Sequence, residues 1–313
     1  MKTKTMRNNF SSKIFFELLV LKYSGEKIVT MIYFNNSATS YPKPPCVLNA
    51  VNDCIESVPF HSERSGFHFG SEDYISLARE AIADLLNIAN PQHISFTSGS
   101  TESINLALRG LNLKDCHVVS TAIEHNSVIR PLERLKMENN IRVTYTPCDE
   151  NGMVMPEAIE SAIENDTRLI VVNHCSNVTG AVLDLKSISE IARQNNILFM
   201  ADISQSAGSV AVDVEGWGID IAAFTGHKSL YGLSGTGGIY IREGLDIAPL
   251  KTGGTGILSS TLTQPKNRPQ YYEAGTPNIP GLVSLYHGAN WLRTVSIEFI
   301  HEHKRWLADQ FYQ

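Results

Sequence analysis

Lys228 follows a short apolar run, 219–224, that reads as a buried strand, and it stands in the quartet Thr225-Gly-His-Lys228 beside His227 and a hydroxyl. Desolvation and a neighbouring imidazole both lower the pKa of an ammonium, and a lysine tuned in that way suits Schiff-base chemistry. Taken alone, Lys228 also reads as a solvated turn lysine. Upstream, a second apolar run at 197–201 ends in Asp202, and an anion at a strand end can hold a protonated pyridine nitrogen. A third cluster is Thr97-Ser-Gly-Ser-Thr101, a small-residue turn between a short strand at 94–96 and a helix at 102–110. Strand, glycine turn and helix bring free backbone N–H groups and the positive end of a dipole to one point, which suits a phosphate. Ser100 and Thr101 can add hydroxyl donors. A capping box ending on Glu102 accounts for part of the same pattern.

These residues need elements to hold them. Apolar runs at 117–120, 141–146, 169–173 and 238–241 read as further strands. Amphipathic or proline-started segments predict helices over 47–58, 73–88, 126–139 and 156–164. Alternation of strand and helix from His117 to Ile241 argues a doubly wound, mostly parallel α/β sheet, whose ligands lie at the carboxyl ends of the strands. The polar loop 61–68 carries Arg64, whose guanidinium fork suits a substrate carboxylate, or which is simply a solvated loop arginine. Asn36-Ser-Ala38-Thr39 reads as an ordinary turn before a proline-started helix. Pro280 opens a long final helix running through Trp291 and Ile297. Its Leu282, Leu285, Ala289, Leu292, Ile297 and Ile300 recur at near-helical spacing, and part of that stripe is expected to want a partner in another domain.

Length and charge narrow the classes. At 313 residues the chain can bury a substantial core, and a net charge of −6 without any basic run gives no reason to expect nucleic acid. No stretch approaches a membrane span. Five scattered cysteines, Cys46, Cys54, Cys116, Cys148 and Cys175, show no metal-ligand spacing, so no metal is expected. They read as reduced, buried thiols in a cytoplasmic protein. The first thirty residues differ from the rest and read as a poorly ordered extension.

Asp202-Ile-Ser-Gln205 followed by Thr225-Gly-His-Lys228 resembles the cofactor site of the class V aminotransferase family, most of all the cysteine desulfurases and selenocysteine lyases, which use pyridoxal 5′-phosphate (PLP). The resemblance begins near Met31 and runs to the last residues. It implies an aspartate-aminotransferase-like (fold-type I) large domain over 31–280, with 281–313 leading to a small C-terminal domain that is largely missing. Lys228 would carry the cofactor and, with His125, move protons. His125 matches the family's Glu-His motif, whose imidazole stacks on the pyridine ring, although a lone histidine after a strand is more often structural. Thr97-Ser-Gly-Ser-Thr-Glu-Ser-Ile-Asn105 is similar to the family's phosphate loop. His174-Cys-Ser-Asn-Val-Thr-Gly180 resembles the motif carrying an asparagine beside the ring hydroxyl, so Asn177 matches there and Gln205 is a second candidate. Thr276 would reach a neighbour's phosphate, which makes a homodimer part of the site. Asn36 and Ala38 match the mouth. Thr225 in place of the commoner serine, and Ile203-Ser204 for two alanines, preserve the chemistry. The implied reaction converts cysteine or selenocysteine to alanine and hands the sulfur to a cysteine, then to an acceptor protein. In the family that cysteine and the carboxylate-binding arginine lie in the C-terminal domain, and none of the five cysteines matches it. A PLP-binding protein without turnover, or another class V aminotransferase or β-lyase, are the alternative readings.

Overall fold

All seven segments read as strands, 94–96, 117–120, 141–146, 169–173, 197–201, 219–224 and 238–241, form a single seven-stranded sheet. The strands are β3 (Ile94–Thr97), β4 (His117–Thr121), β5 (Arg142–Thr146), β6 (Thr167–Asn173), β7 (Leu198–Asp202), β8 (Ile221–Thr225) and β9 (Gly237–Ile241). Their order is β3-β9-β8-β7-β6-β4-β5. Only β9 runs against the rest, pairing antiparallel with both β3 and β8. The expected doubly wound, mostly parallel architecture is what the chain forms. This computed structural model describes residues 33–56, 73–258 and 260–312, together with Val20–Tyr23 (β1) and Lys27–Thr30 (β2). Those two strands pair antiparallel within the stretch expected to be a poorly ordered extension, a pairing the sequence reading did not place. Arg64 and the loop 61–68 lie outside the described residues.

The strands read as continuous apolar runs because both faces of the sheet are covered. Side chains alternate between two cores. Ile170, Val172, Phe199, Ala201, Ala222 and Phe224 enter one. Leu169, Val171, Met200, Ile221, Ala223 and Ile239 enter the other. On the first face lie α2 (Tyr74–Leu85), α5 (Pro156–Ser161), α6 (Leu185–Gln194) and α7 (Ile279–Val295), with α1 (Pro45–Glu56) packed on α7. On the second lie α3 (Ser100–Gly110) and α4 (Asn126–Asn139). Burying a side chain the size of Phe199 or Phe224 contributes roughly 1.5–3 kcal/mol, so the centre of the sheet is the rigid part of the molecule. Helix starts follow local chemistry: the Asp73 carboxylate accepts from the N–H groups of Ile75 and Ser76, and Asp184 from that of Ser187.

The long final helix is two helices. Ser296, at φ 73, ends α7, and α8 (Ile297–Tyr312) starts directly after it. The stripe, expected in part to lack a partner, is covered except at Ile297, which is half-buried. Leu282, Leu285, Ala289 and Leu292 are buried in the first core and Ile300 is 6% exposed. The large apolar residues of these two helices left in water are instead Phe299, Trp306, Leu307 and Phe311, all on α8.

Candidate active site

In a parallel sheet the carboxyl ends of the strands share one edge, and the residues singled out by chemistry leave the sheet there. Thr97 and Thr225 both lie opposite Gly237 across β9, and Asp202 is in register with Asn173 and Ala223. The phosphate-loop candidate follows Thr97. Gly99, at φ 154, precedes α3 and no side chain caps that helix, so the first-turn N–H groups of Ser100 and Thr101 are left for another acceptor. Glu102 folds back instead to accept from the N–H and hydroxyl of Ser98, each at 2.7 Å, and pairs with Lys251 at 2.8 Å. Side-chain-free approach is needed here: a Cβ on Gly237 would meet the Gly99 Cα at 2.5 Å, and one on Gly99 would lie 3.6 Å from Thr225 Oγ1. The loop therefore lies against the end of β8. Ser100 is half-buried and Thr101 exposed.

Lys228 sits in a turn held from several sides. The Gly226 N–H donates to Thr236 O, the Gly232 N–H to Gly226 O and the Tyr231 N–H to Lys228 O. Tyr231 is itself at φ 59 and packs edge-on against Trp291 of α7, with centroids 4.7 Å apart. Burial lowers the Lys228 pKa, while the charges of Asp202 and Cys175 act to raise it. His227 is half-buried, its Nδ1 finds no hydrogen-bond partner among the described residues, and burial, then Lys228 and Lys43, lower its pKa. Asp202 is 5% exposed; its Oδ1 accepts from the Ser204 N–H at 2.9 Å and the Ser204 hydroxyl at 2.5 Å.

The N-terminal segment closes over this turn. Gln205 donates through Nε2 to Ser37 O at 3.1 Å, and Asn36 Oδ1 accepts from the Tyr41 N–H at 2.9 Å. Ala38 is exposed beside them. Thr39 Oγ1 and the Ser40 N–H, each at 3.1 Å, donate to the His227 carbonyl, and Ser40 Oγ donates to that of Lys228 at 2.8 Å.

His125 is exposed at the start of α4, where its Nδ1 accepts from the Ser127 N–H at 3.1 Å. An Nδ1 that accepts leaves the neutral ring protonated on Nε2. Asn177 and Thr276 are exposed on loops, and no hydrogen bond joins either to the Lys228 turn among the described residues. The loop bearing Thr276 is nevertheless anchored: Glu273 takes a bidentate bond from Arg79, 2.8 and 3.0 Å, and accepts from the Phe96 N–H at 2.6 Å.

Several site-edge residues escaped the sequence reading. Glu124 is buried, accepts from Thr121 Oγ1 (2.5 Å) and the Asn173 N–H (2.9 Å), and burial pushes its carboxyl up to about 8. It stays largely protonated near neutral pH, so a second buried anion beside Asp202 is avoided. Cys175 is half-buried; burial raises its thiol pKa while Lys304 and Lys228 act to lower it. Lys304 of α8 donates to Ser229 Oγ at 3.1 Å. Cys54 and Cys116 are buried as expected, whereas Cys46 and Cys148 are exposed, because each lies on a solvent-facing stretch outside the two cores. Lys43 is half-buried against His227. Only its place before a proline hinted at it.

The family pattern of class-V aminotransferases matches residues 32–313. The chain belongs to the class-V aminotransferase family. Within this family it is 31% identical over 309 residues to a probable cysteine desulfurase of Borreliella burgdorferi, covering 94% of this chain and 72% of that one. It is 36% identical to the cysteine desulfurase IscS of Methanosarcina thermophila, covering 88% of this chain and 66% of the relative. Among class-V structures, the apo cysteine desulfurase of Thermococcus onnurineus superposes with a TM-score of 0.81 at 29% identity, over 89% of this chain and 71% of that one. The chain thus spans about two thirds to three quarters of these relatives.

Proposed function

We propose that this chain is a PLP-dependent enzyme of cysteine desulfurase type, taking L-cysteine to L-alanine and passing the sulfur to a thiol. The observation that carries the reading is the convergence, at one sheet edge, of a burial-tuned lysine, a buried carboxylate and an uncapped helix N-terminus. Each matches one part of PLP: the aldehyde, the pyridine nitrogen and the phosphate. When bound, PLP supplies an electron sink that stabilises negative charge at the carbon next to the substrate nitrogen.

The chain's own residues do the rest. Lys228, with its pKa lowered, offers a larger neutral-amine fraction near neutral pH and so a better nucleophile. Asp202, oriented by Ser204, would hold a proton on the pyridine nitrogen. The α3 N–H groups, with Ser100, Thr101, Thr225 and His227, would bind the phosphate. His125 would hold a proton at Nε2 while Ser127 orients the ring. Gln205 fastens the segment bearing Asn36 and Ala38, which would border the substrate. Asn177 would meet the ring hydroxyl, and Thr276 would act from a neighbouring copy in a homodimer. Arg64 would bind the substrate carboxylate. Residues 31–280 would form the PLP-binding unit. The sulfur-accepting cysteine of the resemblance has no counterpart within these 313 residues.

Borohydride reduction of the PLP-treated protein tests the reading. The phosphopyridoxyl group should appear on the Lys228 peptide and vanish in Lys228→Ala. With dithiothreitol supplied as sulfur acceptor and reductant, cysteine out of a panel of amino acids should give alanine and, as the dithiothreitol persulfide collapses to its cyclic disulfide, sulfide. Unchanged labelling of another lysine in K228A would falsify the assignment.

A further inference from the structure

We propose that Lys43 is an anion-binding residue of this site, holding an oxyanion, either the cofactor's phosphate or the substrate's carboxylate, beside His227 and Lys228. The inference rests on the PLP reading above for the identity of the anion, and on geometry for its existence.

Lys43 lies just before α1, yet its ammonium reaches the residue preceding Lys228. Nζ donates to the His227 carbonyl at 2.9 Å and to Ser40 Oγ at 2.8 Å. That carbonyl already accepts from Thr39 Oγ1 and the Ser40 N–H, so it does not need a lysine to be satisfied. A polar or apolar residue at position 43 would leave the clamp standing. What lysine adds is charge.

Among the described residues that charge has no counter-ion. No carboxylate among them lies within ion-pair distance of Lys43, His227 or Lys228. The three basic groups are close enough that both lysines depress the imidazole's pKa. Burial alone pulls the Lys43 ammonium down to about 8. Three basic groups gathered in a half-buried turn, with one imidazole nitrogen buried and unpartnered, form an electrostatic arrangement that an anion would complete. Two neutral oxygens take two of the Lys43 N–H bonds, and the third remains for a charged acceptor. Charge-assisted bonds to phosphate or carboxylate are about twice as strong as neutral ones.

The test compares wild type with Lys43→Met, which keeps the length and removes the charge, and with Lys43→Arg, which keeps the charge. Apo-protein is titrated with PLP, with pyridoxal and with inorganic phosphate, following tryptophan fluorescence. PLP-loaded protein is titrated with 3-mercaptopropionate, a cysteine analogue without the amine. If the anion is the phosphate, K43M weakens PLP and inorganic phosphate about tenfold or more, leaves pyridoxal unchanged, and K43R restores binding. If it is the carboxylate, K43M weakens 3-mercaptopropionate alone. K43M binding all four ligands as wild type does, or losing pyridoxal as much as PLP, overturns the proposal; the second result would make Lys43 a strut. Failure of wild type to bind PLP would sink the PLP reading instead, and inorganic phosphate would still test Lys43.

Discussion

Replacing Glu124 with glutamine isolates the buried carboxyl that neighbours Asp202. Burial raises its pKa from the ordinary 4.5 to about 8; the Thr121 and Asn173 donors oppose the shift and the Asp202 charge adds to it. The folded value exceeds the unfolded one, so the folded chain holds the proton more tightly. That stabilisation is complete below pH 4.5 and is lost as pH climbs through about 8. Between about pH 6 and about pH 9, wild type should therefore lose roughly 2–3 kcal/mol through this one group. Glutamine's carbonyl can keep the bonds from Thr121 Oγ1 and the Asn173 N–H. Its amide NH2 brings two donors to the place where the acid's single O–H at Oε2 already finds no partner, an added cost of about 1–3 kcal/mol. E124Q should be the less stable protein at the lower pH, and the gap should close or reverse at the higher one. Urea unfolding of both apo-proteins at the two pH values, read by tryptophan fluorescence, measures it. Equal losses in the two proteins would refute the reasoning.

Arg79→Ala should destabilise by about 3–5 kcal/mol, since Arg79 is 3% exposed and its loss strands the Glu273 carboxylate. The same change should open the Thr276 loop to limited proteolysis, and a urea-melt loss below about 1 kcal/mol would put the pair among surface bridges. Amide exchange should be fast along α8 and slow along α7, because Leu282, Leu285, Ala289 and Leu292 lie in the core while Phe299, Trp306 and Phe311 are wet. Protection of α8 equal to that of α7 would contradict this.

The strands were legible because a sheet covered on both faces writes itself as unbroken runs such as 169–173 and 197–201. The glycine turn before α3 was legible too, since strand, small residues and helix are local in the chain. Local pattern also indicated that Asp202, Thr225 and Lys228 leave strand ends. The break at Ser296 was not legible. A serine at positive φ carries no signature, so one helix was read where the chain makes two.

By itself the sequence determined the fold class, the strand ends that bear Asp202 and Lys228, and the family. Only the tertiary structure decided which distant groups share the site. Lys43 meets His227, Glu124 feels the charge of Asp202 and Arg79 meets Glu273 because the tertiary fold brings their segments together. Periodicity reports which face a residue buries. It carries nothing about which charge waits on the neighbouring strand, and it is that neighbour, through burial and Coulomb interaction, that tunes each titratable group.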